Sequence, residues 1–393
     1  MNILFVNEIC GYFGGVEQNI ADTAEGLRKR GHTCYLGYGE TSERGFESYR
    51  ALFQETFPCR EAGAGENGAQ PLDHILGRVS PDIIYLHKVS GTGPYLHLLS
   101  RTRIVRMVHD HDLCCPRRHK YFMINGRICH HKLDLRCWLD GAFLGRSHTS
   151  PIGFTFVNIG HKRREMRRNY GLNALLVGSR FMREELLQNG FPPEKVHIVP
   201  PVVRMENPAP SPLPEDPRIL YVGQLIRGKG VDLLLQALPR LTCDYTARIV
   251  GTGNAEPKLK ALSKELGIER NVDFCGWVPN DALGSFYSSA RVVVVPSRWP
   301  EPFGMIGLEA MHHGRPVVAF NVGGIPDWLE HRVTGLLVPE QDVGALAASI
   351  EEVLSDPGLG PNLGKKGLER VHTRYAFERY LDHLEGYLKG ETS

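Results

Sequence analysis

The chain has 393 residues, 46 Lys+Arg against 44 Asp+Glu, and 42% apolar residues, enough for two or three domains with cores of their own. A net charge of +2 excludes the strongly basic composition of a dedicated nucleic-acid binder, and the apolar fraction excludes a disordered chain. No apolar run approaches the roughly 18–20 residues that span a bilayer. Met1–Asn7 lacks a basic leader and its apolar run is short, so it reads as a buried strand and not as an export signal. Nine scattered cysteines favour a reducing compartment over a disulfide framework, and a cytoplasmic protein is expected.

The first strand, Ile3–Asn7, leads through a glycine loop into a helix over Val16–Arg30. That helix puts Val16, Ile20, Ala24 and Leu27 on one face and stops at Gly31. Further strands are predicted at Ile83–Leu86, Ile104–Val108, Ala174–Val177 and His197–Val199. From Pro200 to Pro217, seven of eighteen residues are proline, too few backbone donors for a helix or central strand, so the stretch reads as an extended linker. Beyond it, strands at Ile219–Val222, Ala247–Val250, Val272–Phe274, Val292–Val295 and Val317–Phe320 alternate with helices. An amphipathic helix at Phe377–Leu388 ends the pattern and could pack back on the first domain. Short apolar strands separated by helices imply parallel sheets covered on both faces, hence two doubly wound α/β domains. The expected boundaries are 1–200, a linker at 201–217, 218–370, and a terminal helix in 371–393. Ligands of such sheets bind beyond the carboxyl ends of the strands, so a cleft between the domains is the expected active site.

The charge is uneven. Residues 1–200 hold 26 basic and 20 acidic residues and the remainder 20 and 24. Most of the excess lies in 101–168, with 15 basic and 5 acidic residues. Halves of opposite sign point to different partners.

The densest motif is Val292–Ala310. A buried strand runs into a loop bounded by Pro296, Pro300 and Pro302, and a helix starts near Phe303 or Gly304. Amides at that start suit a phosphate. Glu301 lies at the loop mouth and Glu309 inside the helix, where two carboxylates can accept from two groups of sugar hydroxyls. Taken alone, the pair is equally a solvated loop residue and a surface helix residue. The segment resembles the Glu-x7-Glu motif of the retaining glycosyltransferases of family 4, which have the two-domain GT-B fold of facing Rossmann-like domains. Gly14–Glu17, Pro81–His87, Val108–Asp110, Ser179, Phe191–Val196 and Tyr221–Gly230 are similar to further family segments in the same order.

The resemblance implies transfer of a hexose-type sugar from a nucleotide-diphosphate sugar, with retention, to a lipid-linked or saccharide acceptor in cell-envelope glycan or polysaccharide synthesis. Charge builds on the leaving diphosphate, which fixed cations stabilise. Arg227 and Lys229 match the family's basic pair, although Gln224 stands where many relatives carry arginine. By the same resemblance Glu309 binds the ribose and Glu301 the transferred sugar, while Gly304, Met305 and Ile306 offer amides to phosphate and sugar oxygens. Gly15 lets backbone approach the diphosphate, Gly253 approaches the nucleotide, Val278 meets the base through its backbone, and His109 stands beside the donor sugar. No metal or other cofactor is required. Two other readings keep the fold: a non-catalytic nucleotide-sugar-binding scaffold, and an epimerase or phosphorylase.

An insertion at about 110–168 of the first domain is rich in Cys and His. Cys114, Cys115, Cys129 and Cys137 could hold a structural zinc, yet their spacing is poor zinc-finger grammar, and buried free thiols are the expectation. Asp110-His111-Asp112 has a metal-binding DxD form that the other motifs argue against. The basic runs Arg117–Lys120 and His161–Arg168 are either solvated faces or an attraction to an anionic acceptor or to the inner face of a membrane.

Overall fold

Ile3, Leu4, Phe5 and Val6 are fully buried on a strand whose two faces are both covered. The computed structural model describes residues 1–62, 70–89, 91, 93–122, 126–146, 154–202, 204 and 211–391, side chains excepted at 145, 146, 154 and 155. The chain divides into two units. The first comprises Met1–Lys120, His130–Arg204 and Phe377–Ser393, and the second Tyr121–Cys129 and Met205–Ala376.

The strands in chain order are β1 (Asn2–Cys10), β2 (Thr33–Thr41), β3 (Glu55–Pro58), β4 (Ile83–Leu86), β5 (Arg103–Val108), β6 (Leu144–Arg146), β7 (Phe154–Phe156), β8 (Ala174–Val177), β9 (Val196–Ile198), β10 (Arg218–Val222), β11 (Thr246–Val250), β12 (Val272–Gly276), β13 (Val292–Val295), β14 (Val317–Phe320) and β15 (Gly335–Val338). The first unit holds a parallel sheet in the order β3-β2-β1-β4-β5-β8-β9, the second a parallel sheet in the order β12-β11-β10-β13-β14-β15. β6 and β7 pair antiparallel as a small two-stranded sheet, and Tyr121 and Ile128 form an isolated antiparallel bridge. Strand order reverses between β1 and β4 in the first sheet and between β10 and β13 in the second, and such switch points are where doubly wound sheets bind ligands.

The predicted helix after β1 spans Gly15–Lys29. Strands β2, β3 and β15 carry glycines, a proline or polar residues, which hide them from a search for apolar runs. Three domain boundaries need correction. The second unit runs to Ala376, past the expected end at 370, because its helix Leu359–Arg374 is continuous there. Tyr121–Cys129, read as part of a first-domain insertion, groups with the second unit: Gln341 Nε2 donates to the Gly126 carbonyl at 3.1 Å, and Arg298 packs on Gly126. The segment read as linker from 201 is partly anchored. Asn19 Nδ2 donates to Val202 O at 3.1 Å and Arg204 N to Asp22 Oδ2 at 2.9 Å in the first unit. In the second unit the carbonyls of Ser211, Pro212 and Pro214 accept from Arg315 and Arg291. Pro208 and Pro210 lie outside the described residues.

The terminal helix Phe377–Lys389 belongs to the first unit and packs on Gly15–Lys29. A Cβ on Gly26 would stand 2.5 Å from Leu381, so the glycine permits the helices to touch. Tyr380 and Thr23 share a buried hydroxyl hydrogen bond at 3.0 Å, and Arg30 reaches Glu378, Asp382 and Glu385. Among the described residues no helix is long and apolar enough to cross a membrane.

Candidate active site

In the second unit the site grows from the loops that follow β10 and β13, at the switch point. Gly223 N donates to Val250 O at 2.9 Å, and Leu225 N to Thr252 O at 2.9 Å, which binds the β10 loop to the loop after β11. The crossing is so close that a Cβ on Gly251 would stand 1.9 Å from Gly223 O, and one on Gly253 would stand 2.3 Å from Leu225 O. Gly253 is therefore required by this backbone crossing. The turn Arg227–Lys229 follows, and the amides of Arg298 and Trp299 both donate to Gly228 O, at 2.9 and 3.1 Å.

Arg298 clips the two loops together. It is 6% exposed, grips Asp232 with two hydrogen bonds of 3.1 and 2.7 Å, and donates to Arg227 O at 2.7 Å. Across this seam Lys229 Nζ donates to Glu301 Oε1 at 2.7 Å, and Ser297 Oγ donates to the same oxygen at 2.5 Å. The Lys229 ammonium also lies 5.4 Å from the centre of the Trp299 ring. Burial works to raise the Glu301 carboxyl, but the Lys229 charge and the hydrogen bonds from Lys229, Ser297 and Trp299 outweigh it and hold it below its ordinary value. Glu301 is thus an ionised, 3% exposed carboxylate whose Oε1 is held by Lys229 and Ser297. Its main chain is fixed too, since Gly324 N donates to Glu301 O at 2.7 Å.

Gly304, in a left-handed conformation at φ 92°, caps the helix Met305–His312. Trp328 Nε1 donates to Phe303 O at 2.6 Å and its ring fills the space where Gly307 has no side chain. The start of this helix presents Gly304, Met305 and Ile306 directly after the Glu301 loop, half-buried. Glu309 lies one turn on, and Tyr287 Oη donates to its Oε2 at 2.7 Å. The Tyr287 ring stacks on His313, whose imidazole is pushed down to about 4 by burial and by neighbouring His312 and Arg315. Val278 sits two residues past β12, half-buried, beside the exposed Trp277.

The structure therefore brings Arg227, Lys229, Glu301, Gly304, Met305, Ile306 and Glu309 onto adjoining loops and one helix. Gly253 and Val278 follow the neighbouring strands β11 and β12. Sequence reasoning missed Ser297, Arg298, Trp299, Tyr287 and Trp328. Arg298 and Trp299 lie inside the quoted motif, but their partners come from distant segments.

In the first unit the residues at the carboxyl ends of β1, β4 and β5 form a second polar cluster. Asn7 is buried; its Nδ2 donates to Ile9 O and Glu17, and its Oδ1 accepts from Lys88 N at 3.2 Å. Glu17 also accepts from Gly14 N at 3.0 Å, which fixes the helix start where Gly15 is exposed. His109 Nε2 lies 2.8 Å from His87 Nδ1, with the rings stacked. Burial is the first cause lowering both imidazoles, His109 to about 3, so the pair is neutral. His87 Nε2 is buried without a partner among the described residues. The less costly tautomer puts the His87 proton on Nδ1, donating to His109, because an orphaned buried N–H is rarer than an unpaired acceptor. His109 then carries its own proton on Nδ1.

Asp110 accepts from Asp112 N at 2.8 Å and pairs with Lys88 at 3.4 Å, while Asp112 pairs with buried Arg106 at 3.2 Å, so the DxD carboxylates are engaged within the unit. Among the described residues no three His, Cys, Asp or Glu side chains gather as a metal site. Cys114 and Cys137 lie in a hydrophobic cluster with Val108, Leu113, Leu133 and Met166, where burial pushes both thiols up and disfavours the thiolate a metal needs. Cys115 is buried and Cys129 half-buried, and all four are free thiols. Lys120 is not part of a solvated basic face: it is 2% exposed, pairs with Glu185 at 2.7 Å and donates to His131 O at 2.6 Å.

Residues 13–207 match the family described as Glycosyltransferase Family 4, and residues 203–370 match Glycosyl transferases group 1. The chain belongs to the family 4 glycosyltransferases. An uncharacterized glycosyltransferase of Methanocaldococcus jannaschii is 36% identical over 42% of this chain and 42% of its own length. A GDP-mannose-dependent phosphatidylinositol monomannoside mannosyltransferase of Mycobacterium tuberculosis is 29% identical over 65% of this chain and 72% of its own. The alignment thus spans less than half the length of the first of these relatives. Among solved structures, Anabaena HepE in complex with UDP matches with a TM-score of 0.74 and 19% identity, covering 99% of this chain and 100% of that one. The fold of this glycosyltransferase is accordingly GT-B: two parallel-sheet Rossmann-like α/β domains.

Proposed function

We propose that this glycosyltransferase moves a hexose from a nucleotide-diphosphate sugar to a hydroxyl of a lipid-linked or saccharide acceptor, with retention of configuration, in glycan synthesis on the cytoplasmic side. The observation that carries the reading is the Lys229–Glu301 pair at the switch point, with Glu309 on the helix that follows. As the bond from the anomeric carbon to the diphosphate breaks, Arg227, Lys229 and the amides of Gly304, Met305 and Ile306 offset the charge growing on the leaving oxygen. Glu309, oriented by Tyr287, accepts from ribose hydroxyls. Glu301, held ionised by Lys229 and Ser297, accepts from the sugar. Its anchoring supports attack from the leaving-group face over a covalent glycosyl-Glu301 step. Gly15, Gly253 and Val278 supply backbone contact with diphosphate, nucleotide and base, and His109 offers Nδ1–H to the donor sugar. With these cations in place the transfer needs no metal.

UDP in the HepE complex and GDP-mannose in the name of the mycobacterial relative support a nucleotide sugar and leave the base to experiment. Melting shifts with UDP, GDP and ADP and their sugars identify the donor, and product analysis separates transfer from isomerisation or sugar phosphate release. Glu309→Ala is expected to weaken nucleotide binding about tenfold, while Glu301→Gln lowers kcat on the order of a hundredfold with nucleotide affinity held within about twofold. Unchanged turnover in both variants would refute the assignment.

A further inference from the structure

The Cys-rich segment of the first unit ends in a surface that the transfer chemistry does not use. Leu139, Leu135 and Phe156 are 88%, 77% and 75% exposed, and Trp138 is 50% exposed. They are four of seven large apolar side chains left exposed among the described residues, gathered on the short helix Arg136–Leu139 and the adjoining β6–β7 hairpin. Leu135, Trp138 and Leu139 fall at i, i+3 and i+4, on one face. Trp138 leans on Phe143 with ring centres 5.2 Å apart, Phe156 stands opposite Leu144, and Val157 N donates to Phe143 O at 2.7 Å.

The platform beneath is packed and not frayed. Leu133, Cys137 and Ala142 enter the hydrophobic cluster that holds Cys114 and Met166, and Leu133 N donates to Asn189 Oδ1 at 2.8 Å. Cys137, between exposed Arg136 and Trp138, anchors the helix inward while its neighbours face water.

The charge of the surrounding sequence is mostly positive. Lys132 and Arg136 are exposed on the same segment. The helix Ile159–Arg168 begins three residues after Phe156, buries Ile159 and Met166, leaves Arg163, Arg164 and Arg167 exposed, and pairs Arg168 with Glu165. The local carboxylates are engaged at home: Asp134 accepts from Arg136 N at 2.8 Å, and Asp140 from His131 Nδ1 at 3.3 Å. A second copy of the chain would set two such cationic surfaces against each other, which is unfavourable. Protruding leucines and aromatics, with Lys132 and Arg136 exposed on the same segment and further arginines on the helix that follows the hairpin, match the anatomy of an interfacial lipid anchor.

We propose that the Arg136–Leu139 helix and the β6–β7 hairpin dock on an anionic bilayer, inserting Leu135, Trp138, Leu139 and Phe156 while the neighbouring cations meet lipid phosphates. This deepens the lipid side of the proposed function by naming its surface, and it is tested without turnover, so its failure is distinct from failure of the transfer reading. The full chain is sedimented with vesicles of phosphatidylcholine alone and of phosphatidylcholine with phosphatidylglycerol. Parent protein is expected to bind the anionic vesicles, with a blue shift of Trp fluorescence that Trp138→Phe abolishes. Leu135→Ser with Trp138→Ser and Leu139→Ser lowers partitioning by on the order of tenfold. Arg163→Gln with Arg164→Gln and Arg167→Gln lowers it about fivefold per charge lost near the surface, and added salt mimics the loss. An unchanged melting shift with nucleotide shows that the variants fold. Equal partitioning of parent and variants, equal binding to neutral vesicles, or a serine variant that only converts a dimer to a monomer would each overturn the proposal.

Discussion

Arg298 holds no predicted contact with substrate, yet its removal is expected to damage both stability and turnover. Arg298→Ala deletes two hydrogen bonds to Asp232, one to Arg227 O, and one of 3.3 Å to Gln341. A hydrogen bond to a charged group contributes about 1.5–3 kcal/mol when buried, but Asp232 is 33% exposed and regains water. The net cost is therefore about 2–3 kcal/mol, which lowers the melting temperature of a unit of this size by roughly 4–12 °C. Arg298→Lys keeps the charge but not the two-pronged grip, and about half of the loss remains. Because the same side chain joins the loops of Lys229 and Glu301, displacement of that pair is expected to reduce kcat/KM on the order of a hundredfold. The assay is calorimetry and steady-state transfer on parent, Arg298→Ala, Asp232→Asn and the double variant. Coupling between positions 298 and 232 of about 1–2 kcal/mol supports the clip. Full kcat/KM with a melting temperature within about 1 °C of parent would refute it.

Two pH dependences follow from the other groups. In the parent, the lowered Glu301 carboxyl contributes stability that is present above its unfolded value and lost as the pH falls through its folded value. Lys229→Met leaves that carboxylate buried without its cation. Urea titrations should show a deficit of about 3 kcal/mol at neutral pH, narrowing towards pH 5 as Glu301 takes up a proton; a constant gap would contradict the pairing. The lowered His109 imidazole works in the opposite sense to a stabilising cation. Unfolded His takes its proton first, so stability falls as the pH drops from about 6.5 towards about 3. His109→Asn should recover about 1–2 kcal/mol of the loss between pH 7 and pH 5, measured by urea midpoint, whereas an equal acid slope would argue against a neutral pair.

Both sheets were legible as far as their strands are apolar runs: Val292–Val295 and Val317–Phe320 declare themselves, while Thr33–Thr41, with two glycines and alternating polar residues, does not. The second unit's site was legible because Glu301, Gly304 and Glu309 sit in one continuous motif. What surrounds them was not. Tyr287 and Asp232 lie 22 and 66 residues from their partners, and nothing in local pattern announces such a meeting. The cysteines offered two readings, a ligand set from their density and buried thiols from their spacing; thiols are compact apolar side chains, and Cys114 and Cys137 are used as such.

The terminal helix Phe377–Lys389 completes the first unit although it is translated after every strand of both sheets. On the ribosome, the second unit can close while the first still waits for Leu381 and Tyr380 to cover Gly26 and Thr23. During that interval the apolar face of Gly15–Lys29 stands uncovered, a window in which chaperone capture or misassociation of nascent chains would concentrate. Losing the last seventeen residues would prolong that window indefinitely, a defect of synthesis yield more than of the assembled donor site.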